Sequence, residues 1–187
     1  MTAAALLLAL LALAGPAAAA ALALGEAEMR EAIRVGERSV TSETFDAEWR
    51  VRNARGDLVL VMTPFHRLVV AARHAAFRNE PLKAGEPGKL LAEQKDRLVV
   101  WVHLTGARED FARFYQPRLA VGDHEIKATF VQNERTAARQ EDGSFLARCV
   151  YTFPTREITG RSQVELVVAD VDGRQVTAFT IDLAAMR

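Results

Sequence analysis

From Arg97 to Leu183 the chain is written almost throughout in period-two alternation, and this restricts its fold more than any other feature. Successive side chains of a strand point to opposite faces, so alternation of apolar and polar residues marks a strand with one buried side. Residues 98–105 are strongly apolar, and over 145–153 the residues Phe145, Ala147, Cys149, Tyr151 and Phe153 share one face. Segments 163–169 and 175–183 are two further strands, with Asp172-Gly173 between them as a hairpin signal. Shorter strands are expected over 118–121 and 125–132, the latter with Ile126, Ala128 and Phe130 in phase. Long alternating strands, short turns and no repeated strand-helix-strand unit predict antiparallel rather than parallel sheet. The core expected from this pattern includes Trp49, Val100, Val102, Phe130, Tyr151, Leu166, Val168 and Phe179.

The first part of the chain adds helices. Over 26–40, Met29, Ala32, Ile33, Gly36 and Val40 form one stripe among Glu and Arg, which predicts an amphipathic helix. Phe45, Ala47, Trp49 and Val51 then alternate with charged residues as a half-buried strand, 53–57 turns the chain, and 58–62 returns apolar on both faces. Thr63-Pro64 supplies a cap and a first-turn proline for a helix over 64–79, whose apolar stripe is Phe65, Leu68, Val69, Ala72 and Ala76. A loop over 81–88 and a short helix over 89–95 complete a helical insertion. The expected fold class is α+β, mainly β: an antiparallel β-sandwich, immunoglobulin-like in style, with an N-terminal amphipathic helix and a helical insertion after the first β-hairpin. The arrangement resembles exported bacterial proteins in which a helix precedes a β-sandwich, a likeness of architecture that brings no motif and no activity.

Ahead of all this, residues 1–24 carry no charge and are mostly Ala and Leu, broken by Gly15-Pro16. An apolar stretch over 6–13, followed by alanines over 17–23 with several small-x-small sites, reads as a signal peptide. Residues 25–187 are then a single exported globular domain, periplasmic or extracellular. The first five residues lack the usual basic charge, and a second reading stays open in which 2–24 is retained as a membrane anchor. Membrane contact is expected only in that second case. No Cys lies near the cleavage region, so a lipid anchor has no attachment point. The 24 basic and 24 acidic residues balance to a net charge of +0, which argues against nucleic acid as a partner.

Catalytic patterns are sparse. Cys149 is the only cysteine, so no intramolecular disulfide forms, and its place on an apolar strand face makes it a core thiol. His66 and His74 lie eight apart on one helix, too far to chelate one ion as an i, i+4 pair. His103 alternates with Val99 and Trp101, and His124 sits between Asp123 and Glu125. No metal set and no cofactor follows from these positions. G-x-S-x-G, H-E-x-x-H and P-loop patterns are missing, and the pairs Glu109-Asp110 and Glu141-Asp142 fall in polar, loop-like stretches. Arg55-Gly56-Asp57 spells an adhesion tripeptide, but Gly-Asp also suits a hairpin tip.

Two surfaces stand out as binding candidates. The basic side of the second helix gathers Arg67, Arg73, His74 and Arg78, extended by Lys83 and Lys89, and suits an anionic polymer or lipid headgroup. The loop over 108–115 crowds Phe111, Phe114 and Tyr115, which stack on a sugar, cover a groove or plug the end of the sandwich. The leading expectation is a non-enzymatic binding or structural module of the bacterial cell envelope, interacting with a protein or an anionic envelope component. The other is a small envelope hydrolase or carbohydrate-active enzyme using Asp or Glu with a histidine. That reading requires His103 or His124 within hydrogen-bond reach of a carboxylate.

Overall fold

The computed structural model of the protein describes residues 20–187, so the leader expected over 1–24 lies, up to residue 19, outside the described residues. In chain order the elements are α1 (Glu26–Arg38), a 3-10 turn (Ala47–Trp49), β1 (Arg50–Arg52), β2 (Leu58–Met62), α2 (Pro64–Phe77), α3 (Glu86–Gln94), β3 (Arg97–Gly106), β4 (Gln116–Val121), β5 (His124–Lys127), β6 (Phe130–Gln132), β7 (Ala138–Arg139), β8 (Phe145–Pro154), β9 (Gln163–Ala169), β10 (Gln175–Asp182) and a last 3-10 turn (Leu183–Ala185). The strands make two sheets, one ordered β1-β2-β3-β8-β6 with β7 also on β8, the other β10-β9-β4-β5. All pairings are antiparallel. Among the described residues the fold is thus mainly antiparallel β with three helices, as the alternation and the helix signals predict. No helix among the described residues is long and apolar enough to cross a membrane.

Strand register decides the core. On β3 the even residues Leu98, Val100, Val102 and Leu104 are buried, and β8 sets Phe153, Tyr151, Cys149 and Ala147 opposite them. Leu166, Val168, Phe179 and Ile181 of the second sheet join the same hydrophobic cluster, together with Phe65, Leu68 and Val69 of α2. Cys149 is buried within it, and burial pushes its thiol pKa upward, away from the reactive thiolate.

Helix α1 starts where the Glu28 carboxylate accepts the Gly25 N–H at 2.7 Å. It crosses α2 at Gly36, which is buried. A Cβ there would collide with the Val69 carbonyl oxygen and lie 2.7 Å from the Ala72 Cβ, so glycine permits the close approach. Thr63 caps α2 by accepting the His66 N–H at 3.0 Å and donates its own hydroxyl to the Arg187 carbonyl at 2.5 Å. The β1-β2 hairpin tip is pinned across to the second sheet. Asn53 Nδ2 donates to Thr177 Oγ1 at 2.6 Å, and the Asp57 carboxylate accepts from Thr105 N at 3.0 Å and Thr177 Oγ1 at 2.9 Å. Asp57 is 2% exposed, so the Arg55-Gly56-Asp57 tripeptide is a structural tie and its carboxylate does not face solvent.

Four expectations need correction. The strand expected from Phe45 to Val51 begins only at Arg50, because the chain first makes a 3-10 turn that drives Trp49 inward onto α2. The third helix begins at Glu86, not Lys89: Gly85 takes a left-handed φ of 82° as N-cap, and Pro87 sits in the first turn, where its missing N–H costs nothing. The strand expected over 125–132 is divided between the two sheets, as β5 and β6, with the Thr129 N–H donating to the Thr152 carbonyl at 2.8 Å. That break leaves Phe130, expected in the core, 50% exposed.

Candidate functional site

The larger sheet keeps one face inside, while the other is buried at Met62 and Thr152 and only partly covered around Trp101. On β3 the odd residues Val99, Trp101 and His103 point away from the core, and Trp101 is 45% exposed. Cross-strand register builds rows through each of them. One row reads Arg50, Leu60, Trp101, Val150, Gln132 across β1, β2, β3, β8 and β6. With adjacent strands ~4.8 Å apart, it spans roughly 19 Å. A neighbouring row reads Arg52, Leu58, His103, Arg148. On the other side Met62, Val99, Thr152 and Phe130 align.

The face therefore has an apolar and aromatic centre edged by guanidinium groups. Arg50 is tied to Asp46 at 2.7 Å, whereas Arg97 and Arg148 make no ion pair among the described residues. The positive field registers on His103: burial lowers its pKa most, and Arg148 and then Arg50 lower it further. Glu134, which accepts the Arg148 backbone N–H at 2.6 Å, works the other way. Beyond Val99 the face runs into a cleft of about 720 Å³ whose lining includes Lys95, Asp96, Arg97, Thr129, Phe130 and Pro154. A flat π surface beside fork-shaped cations can hold a ligand that offers both a stacking face and anionic groups.

The seven surface residues expected from sequence are not gathered in this way. Arg73 turns inward, its guanidinium 4.1 Å from the Phe45 ring centroid, because it lies off the line of Arg67, His74 and Arg78 on the helix. Arg67 approaches Glu93 at 4.0 Å and Arg78 approaches Glu80 at 3.6 Å, so two of the expected cations have acidic neighbours. In the loop, Phe111 lies against the core and over Gly106, meets Tyr115 edge-on at 5.9 Å, and leaves only Phe114 well exposed, beneath Arg113 at 5.2 Å. The aromatic group is thus divided between packing and solvent. What sequence reasoning missed is the row through Trp101. The signal was present in the odd positions of 97–105, which include Arg97, Val99, Trp101 and His103, but their basic neighbours come from β1 and β8.

Among the described residues neither His103 nor His124 comes within hydrogen-bond reach of a carboxylate. His124 Nδ1 stands 3.9 Å from Glu157 on the exposed surface, and His103 makes no hydrogen bond to a carboxylate among the described residues. His66 is fully buried, stacked on Trp49 at 4.3 Å with Nδ1 3.2 Å from the Val61 carbonyl. Among the described residues no group of three or more His, Cys, Asp or Glu is placed to hold a metal ion.

No family model and no curated protein matches the chain. Among solved structures, it is similar to a novel protein of unknown function from Burkholderia pseudomallei K96243, at 10% identity and a TM-score of 0.44 over 87% of this chain and 92% of that one. A likeness at that level brings no function with it.

Proposed function

We propose that this protein is an exported, non-enzymatic binding module of the bacterial cell envelope, and that the outer face of its larger sheet takes an anionic envelope component. The observation that carries the proposal is Trp101, 45% exposed in the middle of a sheet where its own row supplies Arg50 and the neighbouring row supplies Arg52 and Arg148. An indole left half in water is a large apolar area unburied, and guanidinium groups beside it favour carboxylate or phosphate oxygens. Export is supported by the uncharged Ala/Leu sequence at residues 1–24 and its small-residue sites. In the same reading the two sheets are the halves of a β-sandwich of immunoglobulin-like style. α1 is its N-terminal amphipathic helix, and α2 with α3 is the insertion after the first hairpin.

The two tryptophans make the test direct, since Trp49 is fully buried and Trp101 is not. Titration with polygalacturonate, or with vesicles containing phosphatidylglycerol, is expected to change the emission of the exposed indole and to weaken as salt is raised. Arg148→Ala is expected to cut affinity about tenfold, the loss of one charge-assisted contact of ~1.4 kcal/mol. Neutral dextran serves as the control. Equal binding by wild type and Trp101→Ala, or no response to either anionic probe, would refute the proposal. A response to polygalacturonate alone identifies a polymer, and a response to vesicles alone a headgroup.

A further inference from the structure

We infer that the leader is removed at or before the Ala19–Ala20 bond, so that residues 20–24 remain with the mature protein as a strap on its core. The inference rests on the export reading above and goes beyond it by locating the processing site. Ala20 is 2% exposed and belongs to the main hydrophobic cluster, and its N–H donates to the Leu183 carbonyl at 2.9 Å. Its carbonyl group sits over Gly160: a Cβ there would collide with the Ala20 oxygen and lie 2.8 Å from the Ala20 carbonyl carbon. Gly160 has no positive φ to explain it, so this contact is what excludes a side chain. Leu22 and Leu24 continue the strap, both partly buried against the same cluster.

The small-residue rule alone does not choose among the alanines. Pairs two apart occur at Ala17 and Ala19, Ala18 and Ala20, Ala19 and Ala21, and Ala21 and Ala23. Signal peptidases act on the extended chain as it leaves the membrane, so burial in the folded domain does not block a later cut. The fold discriminates by consequence. A cut after Ala20 or later removes the donor to Leu183, leaves the groove at Gly160 empty and uncovers part of the core. A cut after Ala19 satisfies the same rule and keeps all three contacts.

The test is the full-length chain with a C-terminal tag, expressed in a bacterial host, recovered from the envelope or medium, and read by intact mass and N-terminal sequencing. The expected first residue is Ala20, after the Ala17 and Ala19 pair, or Ala18, after the small residues Gly15 and Ala17. A product beginning at Ala21 or beyond, or an uncleaved chain held in the envelope, overturns the inference while leaving export standing; a chain found only in the cytoplasm overturns both. Aminopeptidase digestion of the same wild-type product gives an independent reading. Trimming is expected to stop at Ala20, whereas trimming to Gly25 with no change in Tm overturns the strap. Gly160→Val, where the added side chain must displace Ala20, is expected to let trimming run past Leu22.

Discussion

Lowering the pH acts on one buried group whose response can be worked out, His66. Its ring is fully buried, stacked on Trp49 at 4.3 Å and 13° between planes, with Nδ1 3.2 Å from the Val61 carbonyl. The carbonyl can only accept, so Nδ1 carries the proton and the buried Nε2 is left with a lone pair and no partner. Protonating Nε2 would place a cation there. Burial lowers the pKa from 6.5 to about 4, against smaller opposing contributions from the Val61 carbonyl and Asp46. Between those values the unfolded chain binds the proton and the folded one does not, so stability is complete above pH 6.5 and falls as pH falls towards 4. At ~1.4 kcal/mol per tenfold difference in proton affinity, the loss is about 2 kcal/mol by pH 5 and about 3 kcal/mol by pH 4. Carboxylates titrate in the same range, so the assay is urea unfolding of wild type and His66→Phe in parallel at pH 7, 5 and 4. The variant keeps the stack, gives up one hydrogen bond worth ~1 kcal/mol at pH 7, and lacks the titration. The wild-type midpoint should fall by roughly 1.5 M more than that of the variant between pH 7 and 4, for an m-value of ~2 kcal/mol/M. Parallel acid limbs would show that the buried ring does not resist protonation and would refute the reasoning.

Phe179→Ala should cost ~3 to 5 kcal/mol in chemical denaturation, because its ring is buried between strands, whereas Phe130→Ala should cost under about 1 kcal/mol because its ring is 50% exposed. Gly36→Ala is expected to lower stability by about 1 to 3 kcal/mol, since the helices must part to admit the methyl group; an unchanged Tm would mean that α1 is not seated where it crosses α2. Asp57→Ala leaves Thr105 N and Thr177 Oγ1 without their acceptor and should cost about 2 to 4 kcal/mol. Unaltered stability would release the Arg55-Gly56-Asp57 turn from its structural role.

How much of this was legible in sequence depended on whether a feature was local. The strand faces of Leu98 to Leu104 and Phe145 to Phe153 are local, because two-residue periodicity and burial are the same fact seen twice. The turn at Asp172-Gly173 is local too, with Gly173 at φ 77° and the Asp170 carboxylate accepting the Asp172 and Arg174 N–H groups. The failures share a tertiary cause. Phe45, Ala47 and Trp49 alternate as a strand would, yet the gain from laying Trp49 on His66 and Phe65 outweighs that weak local preference. The run from Glu125 to Phe130 alternates without interruption, so nothing local announces that the chain changes sheets at Ala128-Thr129.

The proposed binding face stands further from the sequence still, because it is made of register. Arg50, Trp101 and Val150 are separated by about fifty residues at each step and share a row only because β2 aligns Leu60 with both Arg50 and Trp101, and β8 aligns Val150 with Trp101. A one-residue slip of β8 against β3 would turn Arg148 and Val150 towards the core and carry Cys149 and Tyr151 outward. The apolar inner set that stabilises the sheet therefore also fixes which cations meet the indole. Substitutions on the inner face of β8 that loosen register should damage binding along with stability. Substitutions at Arg148 or Trp101 should damage binding alone, and that separation distinguishes a site from a surface that merely happens to be exposed.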